Sequence, residues 1–167
     1  PERLVVTGGS AGGHLASWLA LSANDPKLQP ELHGDTSVKG CISFYGCYDV
    51  RAALVPSRHD PLVMMLARAV FGADVHRTPE RLDEASPMLH AFTTPPPFLV
   101  IHGSADNIVP VEQARRFVKK LEASGAKTTY LEYPGAVHGF DMLRSVRTAS
   151  AITAALADGR SIARDGV

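Results

Sequence analysis

The stretch VVTGGSAGGHLAS, residues 5–17, sets four glycines around one serine, between an apolar β-branched run and a segment of helix-forming residues. Glycines this dense serve a tight turn in which backbone passes close to backbone or to a ligand, so the stretch admits few structures. Two phosphate-binding readings fail on spacing. A dinucleotide fingerprint needs glycines at its first, third and sixth positions, but counting from Gly8 the third is Ser10, and from Gly9 it is Ala11. A nucleotide P-loop needs Lys and then Ser or Thr after its last glycine, whereas His14 and Leu15 follow Gly13. The pattern that fits is Gly-x-Ser-x-Gly, fixed at Gly8, Ser10 and Gly12. It is a strand-to-helix elbow that holds the serine in a strained conformation, with small residues at Gly8 and Gly12 letting strand and helix approach.

The rest of the chain repeats the strand-then-helix rhythm. RLVVT (residues 3–7) predicts a first strand, and Ala11 to Asn24 a helix with Leu15, Trp18 and Leu19 on one face. A second strand is expected over Cys41 to Tyr45 and a third over Phe98 to His102. The third is apolar almost throughout, as suits a sheet covered on both faces. A helix follows from Pro110, with Val111, Ala114, Phe117, Val118 and Leu121 at helical spacing and Gly125 as its stop. KTTYLEY predicts a fourth strand, and Val146, Ala149, Ile152 and Leu156 mark a closing helix over Met142 to about Ala157. Alternating strands and helices imply a mainly parallel α/β sheet with helices on both faces. Residues 51–97 break the rhythm. They hold two helix-like pieces, DPLVMMLARAVFG and TPERLDEA, and end in the run Pro95 to Pro97, which reads as a helical insertion within one domain spanning residues 1–167.

Bulk properties remove several function classes. At 167 residues the chain is long enough for one proper core. Its 17 basic residues are scattered and balanced by 17 acidic ones, so neither nucleic acid nor an anionic membrane is an expected partner. No apolar run reaches the roughly 18–20 residues of a spanning helix. Cys41 and Cys47 are six residues apart, which along a strand is roughly 20 Å, too far for a disulfide, so both are expected as reduced, buried thiols. They lack the companion ligands of a metal site. His14, His33, His59, His76, His90 and His102 show no metal-binding spacing and read as structural. No metal or cofactor is expected.

A serine hydroxyl is a weak nucleophile and needs a base within hydrogen-bond reach and a third group to orient that base. Two loops at the carboxyl ends of strands offer them. Asp106 lies four residues beyond His102 in IHGSADNIVP, and His138 lies five beyond Tyr133 in YPGAVHGF, at the sheet edge where ligands and catalytic groups gather. The order Ser, Asp, His is that of the elbow-bearing α/β fold. Asp106 also reads as a plain turn former, and Asp49 in YGCYDV is a rival acid. The N–H of Ala11, at the positive end of the helix, points where an oxyanion would develop.

Together GGSAGGHLA, IHGSADNIVPVEQARRF and YPGAVHGF resemble the carboxyl-terminal half of an α/β-hydrolase of the hormone-sensitive-lipase-like carboxylesterase group. The likeness runs from Leu4 to the last helix. The resemblance implies an incomplete α/β-hydrolase sheet of about four strands. It implies Ser10 as nucleophile, His138 as general base and then acid, Asp106 as orienting carboxylate and Ala11 as an oxyanion-hole amide. The implied activity is hydrolysis of small acyl esters or lipids through an acyl-enzyme. A prolyl-oligopeptidase-type peptidase and a non-catalytic hydrolase-like binding module are the alternatives. Many such relatives carry an acid just before the serine, where this chain has Gly9, so less polar surroundings are expected there. Only nine residues precede Ser10, so the upstream loop holding the other oxyanion donors is expected to be missing, along with the strands beyond the first. Weak activity of this piece alone is expected, and self-association through an exposed first strand.

Overall fold

A computed structural model of the chain describes residues 4–27, 31, 33–54, 61–72, 78–90 and 94–165. Its centre is a four-stranded sheet of β1 (Val5–Gly9), β2 (Gly40–Phe44), β3 (Phe98–Gly103) and β4 (Thr128–Tyr133), paired in that order and parallel throughout. Strand follows helix as the crossovers of a parallel sheet require. Helix α1 (Ala11–Leu21) joins β1 to β2, and α5 (Val111–Ala123) joins β3 to β4. Between β2 and β3 lie α2 (Val50–Leu54), α3 (Pro61–Phe71) and α4 (Pro79–Glu84), and α6 (Val146–Asp165) closes the chain.

Strand parity sorts the core into two layers, since successive side chains leave a strand on opposite faces. Cys41, Phe98 and Val100 pack with Ala16 and Ala20 of α1 and with Ala114, Phe117, Val118 and Leu121 of α5. Ile42, Phe44, Leu99 and Ile101 point the other way, against Ala151 and Ala155 of α6 and Phe140. Both faces are therefore covered, and β2 and β3 are buried at every residue. β1 is an edge, half-buried at best and exposed at Thr7 and Gly9.

Several elements depart from their expected form. β1 begins and ends two residues late and takes in Gly8 and Gly9, and α1 ends at Leu21, short of Asn24, which is left-handed at φ 58°. The face of α1 turned to the sheet is Gly13, Ala16, Ser17 and Ala20. Leu15 is 63 % exposed and Leu19 is exposed as well, while Trp18 is half-buried and donates its indole N–H to the Glu84 carbonyl. The single residue of the elbow ties α1 to β1 without slack, so the helix sits close and small residues must face the sheet. α6 begins at Val146, Met142 belonging to a preceding 3₁₀ turn, and it too turns its expected apolar stripe outward: Val146, Ile152 and Leu156 are exposed while Ala151 is buried.

In residues 51–97, Met64 and Ala67 pack with Val50 and Leu82, with Phe71 against them. Met65 and Val70 are exposed, and the Leu66 side chain, His59 and His76 lie outside the described residues. Cys41 and Cys47 are free thiols. Burial of both, with the Asp49 charge beside Cys47, pushes each up to about 12. Among the described residues no helix is long and apolar enough to cross a membrane.

Candidate active site

Parallel registration aligns the carboxyl ends of all four strands on one rim, Gly9 beside Phe44 and Gly103 beside Tyr133. The elbow leaves this rim first. Ser10 caps α1 at φ 56°, ψ −120°, in the region non-glycine residues avoid, and its N–H donates to the Phe44 carbonyl at 3.0 Å. A capping serine ordinarily accepts a bond from the first helical turn, but this side chain makes none. It is aimed away, toward His138. A Cβ on Gly8 would lie 2.4 Å from the Gly12 backbone, and one on Gly13 would lie 2.8 Å from the Phe44 carbonyl oxygen. A Cβ on Gly12 would meet nothing within 4 Å. The close approach expected of Gly8 and Gly12 is thus carried by Gly8 and Gly13, with Gly12 offering only its main chain as the wall.

The loops after β3 and β4 are knit together before they reach the serine. Ser104 N–H donates to the Tyr133 carbonyl, Ala105 N–H to the Ala136 carbonyl and Gly135 N–H to Ser104 Oγ, at 3.0, 3.0 and 2.9 Å. Gly103 permits this, since a Cβ there would stand 2.3 Å from the Ala136 oxygen. Left-handed Gly135 and Gly139, at φ 66° and 69°, fold the second loop back over the rim with His138 at its tip.

The result brings together residues 10, 106 and 138. Ser10 Oγ lies 2.8 Å from His138 Nε2, and His138 Nδ1 lies 2.8 Å from Asp106 Oδ2. A carboxylate only accepts, so Nδ1 carries the proton and the Nε2 lone pair faces the serine hydroxyl. Asp106 divides its work between its oxygens. Oδ1 accepts the Ile108 and Val109 amides at 2.9 and 2.8 Å, the turn-forming role, while Oδ2 turns to His138. Its side chain is fully buried and that of His138 only 11 % exposed. Burial opposes the Asp106 charge. Hydrogen bonds from His102, His138, Val109 and Ile108 outweigh it and hold the carboxyl well below the usual carboxylate range. The rival acid is engaged elsewhere: Asp49 Oδ1 accepts the Ala52 amide at the start of α2, and Oδ2 lies 3.7 Å from Arg116.

Two residues escaped the sequence reading. His102, expected to be structural, is fully buried, with Nε2 2.9 Å from the Val109 carbonyl and 3.3 Å from Asp106 Oδ2. The carbonyl can only accept, so Nε2 carries the proton and reaches the same carboxylate oxygen that His138 bonds. Nδ1 has no partner among the described residues. Tyr45, one residue past β2, packs its ring against His138 at 4.7 Å and donates its hydroxyl to Asp141. Burial first, then the Asp141 bond and the charges of Asp141 and Asp106, push its phenol above the ordinary range, so the hydroxyl stays a donor. The hydroxyl also lies 2.9 Å from where a Gly9 Cβ would be. A phenol hydroxyl and its ring therefore stand beside Gly9. The only cue in the sequence was the position of Tyr45 at the end of β2.

Of the other histidines, His14 and His90 bond the Ala85 and Glu84 carbonyls at 2.6 Å, and His33 is exposed. A cleft of about 580 Å³ opens at the opposite rim, where Asn24, Lys39 and Pro95 to Pro97 line it, far from the serine. Met64 packs in the buried α2–α3–α4 cluster.

A parallel sheet of this order, with a strained serine elbow followed along its rim by an acid and a histidine, defines an α/β-hydrolase. Residues 1–121 match the BD-FAE family, and the chain belongs to that family of hormone-sensitive-lipase-like esterases. Among its relatives is Esterase LipC of Mycobacterium tuberculosis, 47 % identical over 148 residues, an alignment covering 87 % of this chain and 36 % of LipC. The chain thus spans about a third of the length of such relatives. Among solved structures, the propionate-bound Est2 esterase of Thermogutta terrifontis superposes with a TM-score of 0.69 at 28 % identity, over 100 % of this chain and 58 % of that one. Puromycin hydrolase superposes with a TM-score of 0.78 at 26 % identity, over 96 % and 22 %.

Proposed function

We propose that the chain carries the reaction centre of a serine carboxylic-ester hydrolase that works through an acyl-enzyme on Ser10. The observation that carries this reading is the unbroken hydrogen-bond path from Ser10 Oγ through His138 to Asp106 Oδ2, both links 2.8 Å long. As Oγ attacks the ester carbonyl carbon, His138 Nε2 takes its proton, and the Asp106 carboxylate stabilises the imidazolium that forms. The carbonyl oxygen becomes an oxyanion that accepts the N–H of Ala11, a first-turn amide with no partner inside its helix. Collapse breaks the bond to the alcohol oxygen, which receives the proton from Nε2 and leaves. Water then attacks the acyl-Ser10, giving its proton to His138, and the acid departs as Oγ is reprotonated. No step needs a cofactor. Small acyl esters or lipids are the substrate class.

The likeness to the uncharacterized peptidase YuxL of Bacillus subtilis, 29 % identical over 138 residues, favours one second reading, cleavage of an amide by the same three residues. Fluorophosphonate labelling followed by peptide mapping tests the centre itself. The expected outcome is covalent modification of Ser10, abolished in Ser10→Ala and reduced by about 10³-fold or more in His138→Ala, with p-nitrophenyl acyl-ester hydrolysis falling in parallel. Faster release from matched amides than from esters supports the peptidase reading, and absence of labelling in folded protein overturns both in favour of a binding module.

A further inference from the structure

We infer that Tyr45, together with Asp141, is the positioning device that holds the His138 imidazole in the plane joining Ser10 to Asp106. The inference rests on the triad reading above and adds to it. A hydrogen bond from Nδ1 to Asp106 fixes where one ring atom points, but it leaves the ring free to tilt about that bond. Tilting carries Nε2 off the line to Oγ. Something must pack against the ring to stop that tilt, and Tyr45 does so, with its ring centre 4.7 Å from that of His138 and the two planes at 60°.

Four further observations show that this side chain is placed for the task rather than merely filling the core. Its backbone sits at φ 37°, a conformation that a bulky residue avoids, and its N–H is pinned to the Ile101 carbonyl at 2.7 Å, so the ring starts from a fixed point on β3. The hydroxyl donates to Asp141, three residues past His138 in the same loop, which ties the far end of the ring to the segment it has to hold. The same hydroxyl stands 2.9 Å from the position of a Cβ on Gly9, against the peptide that leads into Ser10. Phe140 and Phe44 pack edge-on to Tyr45, their rings 6.0 and 6.3 Å from its own. One buried residue, 3 % exposed, therefore touches the chain on both sides of the Ser10–His138 bond. Gly9 follows as a requirement: a side chain there displaces the phenol.

The device is tested by two readouts that a purely structural role leaves unchanged, the rate constant for fluorophosphonate labelling of Ser10 and the low-field proton resonance of His138 Nδ1–H, assigned by its loss in His138→Gln. Tyr45→Phe and Asp141→Asn each remove one end of the same bond. Each is expected to slow labelling about 3- to 10-fold, the double variant no more than either, with the half-saturating reagent concentration unchanged. Tyr45→Leu also removes the ring face and is expected to slow labelling about 100-fold and to broaden or shift the Nδ1–H resonance. Labelling at the wild-type rate in Tyr45→Phe and Asp141→Asn, with the resonance in place, overturns the inference even if Tyr45→Leu fails to fold. If the unmutated protein shows the resonance but takes no label, the hydrolase reading fails, and the resonance in the Tyr45 and Asp141 variants alone decides the positioning role.

Discussion

Helices α5 and α6 carry apolar residues at the same three- and four-residue spacing, yet only α5 buries them. In α5 the stripe Val111, Ala114, Phe117, Val118 and Leu121 is buried throughout, with Phe117 stacked on Tyr48 at 4.1 Å and edge-on to Phe98. In α6 the stripe faces out, Val146 being 87 % and Leu156 58 % exposed, and the face on the sheet is the small-residue series Ala151, Ala155 and Gly159. A Cβ on Gly159 would come within 3.3 Å of Ile42 Cδ1, which shows how near the helix lies to β2. α1 behaves like α6. A stripe of small residues at four-residue spacing lets a helix approach until its backbone packs on the sheet. Larger apolar side chains on the flank then have no room beneath and are left outside. Apolar periodicity identifies a helix, but residue volume decides which face goes down.

The sharpest way to break this contrast is to cut a large residue from the face that has them. Phe117→Ala is expected to destabilise the fold by about 3–5 kcal/mol in urea titration, since it removes a ring packed on two others. A loss under about 1 kcal/mol would mean that the α5 face is not the dense layer described. The converse substitution, Ala151→Leu, enlarges a residue on the close-packed face of α6. It should lower stability by about 1–3 kcal/mol despite adding apolar area, and any gain would show that slack exists beneath the helix. Smallest of all, Leu156→Ser changes an apolar residue on the outward stripe and is expected to leave the unfolding midpoint within about 0.5 kcal/mol of its starting value. A larger loss there would place the stripe in a contact this fold does not contain.

The site divides along similar lines. Ser10 was legible because every residue that makes the elbow is its neighbour in the chain, and a five-residue spacing excludes the phosphate-binding uses. His138 and Asp106 were legible as loop residues after strands, but the choice between Asp106 and Asp49 was not. Each follows a strand at the same rim, and the decision came from the interlocked loops at Gly103 and Ala136, which turn Asp106 toward His138, while Asp49 is spent on α2. Tyr45 gave no signal beyond its place at the end of β2, because His138 lies 93 residues further on and meets it only through the folded sheet; His102 lies four residues from Asp106, but nothing in that spacing says that its ring turns to the carboxylate.

By itself, then, the amino-acid order determined the alternation of strands and helices, the parallel sheet it requires, the elbow and the two loops at its rim. These follow from local rules: periodicity, turn chemistry and the conformational freedom of glycine act within a few residues. Only the tertiary structure decided which helix faces meet the sheet, which acid reaches His138, and that Tyr45 fills the space beside Gly9. Those outcomes depend on volumes and distances between segments far apart in the chain, and close packing settles them all at once.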